Sequence, residues 1–290
     1  MGAARLQVFA AALLFSVGGA GIKACTLTNW QVAGFRSGVA ALVFLAFLPE
    51  SRRGWTWRAA LVGAAYATTM ILFVLANKLT TSADTIFLQS TAPLYILLLG
   101  PWLLGEKNRP SDLVIILLVA AGLSLFFVAS ETPMRTAPDP LRGNLLAVAS
   151  GVTWALTIMG MRWLGREERA GRGSAAPAVV MGNLFALLVS LPFALPVLQA
   201  RPVDWALVIG LGMIQIGLAY VFLTRALRFV PAFEAMILLL LEPALNPIWA
   251  WWVDGERPAV WALVGGALIL GATILKTWYD SRATATGVPA

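Results

Sequence analysis

The 290-residue sequence has no histidine and a single cysteine, and only 12% of its residues are charged. Without histidine it lacks the commonest general base and metal ligand, and Cys25 alone cannot close an intramolecular disulfide. Every aspartate falls in a connector or near the end of an apolar run, and no Gly-x-Ser-x-Gly elbow occurs. The usual catalytic pairs are therefore missing, which argues against an intramembrane enzyme; no metal or cofactor is expected. A net charge of +7 would suit nucleic acid, but the arginines lie in short connectors and form no basic face with interleaved aromatics. No nucleic-acid partner is expected.

What the sequence has is apolar length. Hydrophobic residues make up 59% of it, whereas a soluble domain carries about 25% charged residues. Long apolar runs without alternation select helices, because a bilayer leaves backbone groups no other partner. Ten such runs fall near 5–24, 30–49, 57–76, 84–104, 111–129, 141–164, 176–198, 204–224, 231–253 and 258–279. An even number puts both termini on one side. That side holds fourteen of the lysines and arginines and the opposite side six (Lys23, Lys78, Arg135, Arg142, Arg201 and Arg257), with Arg36 inside a span. The excess predicts cytoplasmic termini in a bacterial-type inner membrane. Most tryptophans, Trp30, Trp57, Trp163 and Trp261 among them, fall near span ends, as an interfacial belt requires.

Setting residue n against n+150 aligns 76–106 with 226–256. Ala76/Ala226, Leu88/Leu238, Pro93/Pro243, Trp102/Trp252, Gly105/Gly255 and Glu106/Glu256 are identical, and Lys78/Arg228 and Asp84/Glu234 keep their charge sign. The chain thus divides into 1–140 and 141–290, five spans each. Because five is odd, the halves enter the membrane in opposite directions, the inverted repeat of secondary transporters. The expected fold is an all-α membrane protein of ten transmembrane helices, two inverted five-helix repeats around a central cavity.

PLYILLLGPWLLGEKNRPSDLVIILLVAAGLSLF and EPALNPIWAWWVDGERPAVWALVGGALILGATIL resemble the proline-to-Gly-Glu helix and following helix of EamA-type transporters, in the drug/metabolite transporter superfamily. GFRSGVAALVFLAFL resembles that family's second helix with its embedded arginine, and RALRFVPAFEAMILLLLEP the entry to its ninth. The resemblance implies two inverted bundles around a cavity that opens alternately to each side. Within the family the chain is most similar to aromatic amino acid exporters.

The stretch LLLLEPALNP (238–247) places Glu242 near the midpoint of the apolar run 235–253, immediately before Pro243 and with a second proline, Pro247, following. Each proline lacks a donor, so carbonyls one turn earlier are released to a ligand, water or neighbour. Glu242 and Asn246 share a helical face, and Thr85 and Gln89 occupy the equivalent face beside Pro93. Glu242 either faces the cavity or forms a helix-to-helix bond, since an unpaired carboxylate in hydrocarbon is costly. Arg36, within Gly34-Phe-Arg-Ser-Gly38, either attracts a carboxylate-bearing cargo or is paired or snorkelling. Tyr66, Met70 and Phe73 form one stripe and Gln215 and Phe222 another, with Tyr220 nearby; Tyr95 and Trp154 join them as candidates for an aromatic wall or for core packing. Lys78 with Asp84, and Arg228 with Glu234, are alternating gates or ordinary surface pairs.

The expectation is a secondary exporter of small amphipathic metabolites working by alternating access, with aromatic amino acids the first candidate cargo. Its partners would be the lipid bilayer and a small-molecule substrate, with the carrier monomeric. A carrier of cationic drugs or nucleotide sugars, and less readily a channel, are the alternatives.

Overall fold

The computed structural model describes residues 2–105, 110–128, 133–169, 175–226 and 238–285. They form helices: α1 (Gly2–Ser16), α2 (Gly18–Ala24), α3 (Asn29–Phe47), α4 (Trp57–Leu79), α5 (Ser82–Gln89), α6 (Ala92–Leu103), α7 (Pro110–Val128), α8 (Pro140–Arg169), α9 (Ala176–Ala194), α10 (Pro202–Gly210), α11 (Ala219–Ala226), α12 (Leu241–Asp254) and α13 (Val260–Ala285). A π-helical stretch, Leu211–Leu218, joins α10 to α11.

Seven helical segments are long and apolar enough to cross a membrane, from Ala3–Ala24 to Pro202–Leu223, and Asp112–Phe127 and Val260–Lys276 are shorter apolar helices. They overlap nine of the expected ten windows. The remaining window, 231–253, falls partly outside the described residues and contains α12.

Local chemistry sets the ends. Thr28 and Gln31 form a reciprocal capping box at the start of α3, its two bonds 3.2 and 3.0 Å long. Thr56 caps α4 and Thr81 caps α5 through their hydroxyls. Gly105 and Gly255 both close a helix with positive φ, +67° and +69°, a conformation that only glycine adopts without cost. The helix breaks at Ser90–Thr91 and again at Leu240, so Pro93 and Pro243 both fall at the start of a new helical segment, where the missing donor is tolerated.

Large apolar side chains face outward, while several polar and charged ones are buried. Trp102, Leu198 and Trp252 are 89%, 83% and 76% exposed, whereas Arg36, Asp84, Asn246 and Glu256 are at most 2% exposed. This is the distribution a lipid solvent imposes. Neighbouring helices approach through small residues: a Cβ on Gly122 of α7 would lie 2.8 Å from the carbonyl of Gly265 of α13, and one on Gly182 of α9 would lie 2.8 Å from that of Gly63 of α4. The closest packing pairs α4 with α8 and α9, α3 with α9, α7 with α13, and α1 with α11. Each pairing joins the first 140 residues to the rest.

Residues assigned to one side of the membrane meet at one end. Lys23 reaches the carbonyls of Thr80 and Thr136 and the carboxylate of Glu256, and Lys78 reaches the carbonyl of Cys25. Near the other end, Arg58 lies over the rings of Trp57 and Trp163, and Lys276 meets Asp112 at 2.8 Å.

Candidate functional site

Helices α3, α4, α9 and the π-helical stretch bring one polar and aromatic cluster together deep inside the molecule. Arg36 is at its centre. Its Nη1 donates to Gln215 Oε1 at 3.4 Å, its Nη2 donates to the Met70 carbonyl at 3.2 Å, and the Met70 sulfur lies 4.0 Å away. The Phe73 ring centroid is 6.0 Å from the guanidinium carbon. The stripe Tyr66, Met70 and Phe73 therefore flanks Arg36. Tyr66 and Tyr220 are edge to face at 6.2 Å between centroids, and Tyr220 also meets Phe15 and Phe44. Asn183 lies beside the Tyr66 hydroxyl. A π turn widens the helix to place Gln215 against Arg36, a departure often found at functional positions. Phe222 packs instead with Phe15, Ala11 and Leu223.

Glu242 opens α12 from the far side of this cluster and acts electrostatically on the Tyr220 hydroxyl. It makes no hydrogen bond or ion pair with any described residue. Glu242 and Tyr220 lie in the interior of the molecule, and each keeps part of its surface accessible. Pro243 and Pro247 are buried, with Pro247 inside the helix. Asn246, one turn on, is 1% exposed and faces Gly19 and Ser82 rather than the cluster: a Cβ on Gly19 would lie 2.4 Å from its Oδ1. Neither of its amide atoms has a hydrogen-bond partner.

A second polar seam runs between α4, α5 and α8. Gln89 donates to Ser150 at 2.7 Å, and Thr69 donates to Thr153 at 2.9 Å. Beside it Tyr95 and Trp154 pack with Ala92, Ala155 and Met159, and Pro93 is half-buried. Thr85 is buried and bonds back to the Thr81 carbonyl.

A charged cluster lies at the end nearest Cys25. The Lys23 ammonium lies 3.2 Å from Glu256 Oε1, with side chains 4% and 1% exposed, and the N–H of Ser82 donates to Glu256 Oε2 at 2.7 Å. Gly255 makes this possible: its left-handed turn lets the N–H of Glu256 return to the Ala250 carbonyl and aims the carboxylate at the start of α5. Asp254 lies beside it, and burial pushes its carboxyl up to about 6, with Glu256 adding to the shift. Burial also raises the Cys25 thiol, which is 1% exposed. Lys78 and Asp84 lie in the same region. Lys78 bonds the Cys25 carbonyl, and Asp84 accepts from Thr80 at 3.1 Å. Arg228 and Glu234 lie outside the described residues.

The EamA-like transporter family model matches residues 3–128 and 141–278. The chain belongs to the EamA-like transporter family. It is 28% identical over 213 residues to an uncharacterized transporter of Archaeoglobus fulgidus, covering 73% of each chain. It is 25% identical over 276 residues to the pseudopaline exporter of Pseudomonas aeruginosa, covering 91% of this chain and 92% of that one. A solved crystal structure, 21% identical, superposes with a TM-score of 0.62 over 97% of this chain and 99% of its own, which shows a shared fold. The protein is an integral membrane transporter, not an enzyme.

Sequence reading of the transporter missed three elements of this interior. Asn183 is an isolated amide in an apolar run; Lys23 and Glu256 are 233 residues apart; and the π turn at Gln215 has no periodic signature. The Gly-Glu pair at 255–256 was the one available signal. A groove of about 470 Å³ lies elsewhere, on the seam of α7 and α13 between Leu118 and Leu275. Its lining is apolar side chains on the lipid-facing exterior, so it is an unlikely place for polar cargo and a natural one for lipid tails.

Proposed function

We propose that the transporter is an alternating-access exporter of small amphipathic metabolites in a bacterial-type inner membrane, with both termini cytoplasmic. In this reading ten spans divide into five-helix repeats, 1–140 and 141–290, inserted in opposite senses around a central cavity. The two family matches support a repeat. The paired glycine caps and helix breaks, each 150 residues apart, support it locally. Packing supports it globally. The third span packs on the sixth and seventh, the eighth packs on the first and second, and the second–seventh and fifth–tenth pairs map onto themselves. Exchanging the halves leaves that pattern unchanged, as a twofold axis requires, and an odd number of spans per half turns such an axis into the membrane plane.

The observation that carries the function is Glu242, a carboxylate at a helix break that has no hydrogen bond or ion pair among the described residues and acts electrostatically on Tyr220. A group so costly to hold in a membrane interior is retained where cargo or coupling ions pass. The cargo that fits is a small molecule with a cationic group for Glu242 and an apolar or aromatic body for Tyr66, Met70, Phe73 and Tyr220. Aromatic amino acids are the first members of that class to test. Lys23–Glu256 would hold the extracytoplasmic end shut in this conformation, with Lys78 and Asp84 beside it. The bilayer is the lasting partner, one chain forms the whole path, and nucleic acid has no part.

Counterflow in proteoliposomes tests the reading, with a panel of aromatic amino acids, other amino acids, quaternary cations and nucleotide sugars. Saturable exchange of zwitterions is expected. Exchange of quaternary cations alone would favour a cationic-drug carrier, a reading that the unpaired Glu242 also supports. Unsaturable flux with single-channel currents would overturn the carrier.

A further inference from the structure

We propose that Arg36 is the carboxylate-recognition residue of the cargo, and that Gln215 and the Met70 carbonyl hold its place when cargo is absent. The inference rests on the carrier reading above and narrows its cargo to molecules bearing a carboxylate.

Arg36 is 1% exposed, so it does not snorkel to either surface. Its backbone is clamped: a Cβ on Gly212 would lie 2.5 Å from the Arg36 carbonyl, and one on Gly34 would lie 2.8 Å from Ser190. A guanidinium held so deep is ordinarily paired with a carboxylate, because an unpaired buried charge costs several kcal/mol. Among the described residues Arg36 pairs with no carboxylate. Its five donors meet one long bond to a neutral amide, one to a carbonyl and a distant sulfur, and its Nε has no partner.

The surrounding groups are those a carboxylate would use. The Tyr66 hydroxyl makes no well-aligned hydrogen bond and lies close enough to act electrostatically on Arg36. Tyr220, which keeps part of its surface accessible, does so as well. A cargo carboxylate displacing Gln215 would exchange a 3.4 Å neutral contact for a charge-assisted, forked pair about twice as strong. Tyr66 could donate to its second oxygen. Tyr220 is acted on by both Arg36 and Glu242, so it neighbours the place for the carboxylate and the place for the cation. Arg36 belongs to the first half of the chain and Gln215 to the second. Displacing that bond therefore loosens a contact between halves as cargo binds, which links occupancy to movement.

The test uses the full chain, wild type and Arg36→Gln, with two readouts. In proteoliposome counterflow, phenylalanine and tryptophan are compared with phenylalaninamide and tryptophanamide. Arg36→Gln is expected to lose at least tenfold in exchange of the acids while the amides stay within twofold, and Arg36→Lys to recover the acids in part. In detergent without cargo, Arg36→Gln is expected to melt no lower than wild type, and 3-phenylpropanoate is expected to raise the melting temperature of wild type only. Equal losses for acids and amides, or a cargo-free melting temperature well below wild type, would make Arg36 a structural residue and overturn the inference. If wild type exchanges nothing, the carrier reading fails, while the response to 3-phenylpropanoate still decides whether Arg36 binds a carboxylate.

Discussion

Glu256 and Glu242 are fourteen residues apart on one helix and its cap, and they are treated in opposite ways. Glu256 is enclosed and paired, with the Lys23 ammonium 3.2 Å from one oxygen and the first N–H of α5 donating to the other. Glu242 has neither cation nor donor among the described residues. A carboxylate whose partners are supplied by the fold is part of the architecture. One without a counter-charge among the described residues is the proposed site for a cargo group. Arg36 stands with Glu242 in this respect, and Lys23 with Glu256.

The comparison breaks most severely at Glu256. Glu256→Ala leaves Lys23 buried without its counter-charge, and removing one member of such a pair costs about 3 kcal/mol or more. A clear fall in melting temperature is expected, with part of it restored in the double variant with Lys23→Ala. The same change should uncover Cys25, the only thiol. In wild type its burial and raised pKa keep it from reacting with a membrane-impermeant maleimide at neutral pH, and Glu256→Ala should label several-fold faster from the extracytoplasmic side. Equal labelling would show that this pair does not close that end.

Glu242→Gln tests the other side of the comparison. With no partner to lose, the variant is expected to keep its stability within about 1 kcal/mol or to gain slightly, since a buried charge is removed. Exchange of amine-bearing cargo should nevertheless fall at least tenfold in counterflow. Retained exchange would show that Glu242 is not part of the cargo path.

The smallest effect concerns Asp254, a carboxyl beside the closed end whose pKa is raised to about 6. A raised carboxyl pKa means that the folded state binds the proton more tightly than the unfolded chain, so stability rises as pH falls through about 6 and levels off below the ordinary carboxylate range. Asp254→Asn should therefore melt slightly higher than wild type at pH 7 and match it near pH 4. Identical pH profiles of melting temperature would show that Asp254 is solvated in the folded state.

Much of this was legible in the primary structure. Apolar runs separated by charged connectors gave the helices, since a bilayer permits no other backbone arrangement for them. The 150-residue spacing of Pro93/Pro243 and Gly105/Gly255 marked two breaks and two left-handed caps, because proline and glycine act through their own backbones. Glu242 and Arg36 stood out as lone charges in oily surroundings. The grouping of Tyr66, Met70 and Phe73 followed from helical spacing on α4, and these residues do flank Arg36.

Which charges have partners was not legible. Lys23 and Glu256 are distant in the chain, and only the crossing of α2, α5 and α12 makes them neighbours. Asn246 shares a face with Glu242 in sequence, yet one turn of helix carries it from the cluster to a contact with Gly19. Gln215 reaches Arg36 through a π turn that no periodicity announces. Local backbone chemistry and the bilayer's demand for satisfied peptide groups are written residue by residue, so the sequence alone determined the helices, their breaks and the unusual placement of its charges. Pairing energy depends on separations of a few ångströms between groups from different helices, and only the tertiary structure decided which charges gained a counter-charge among the described residues.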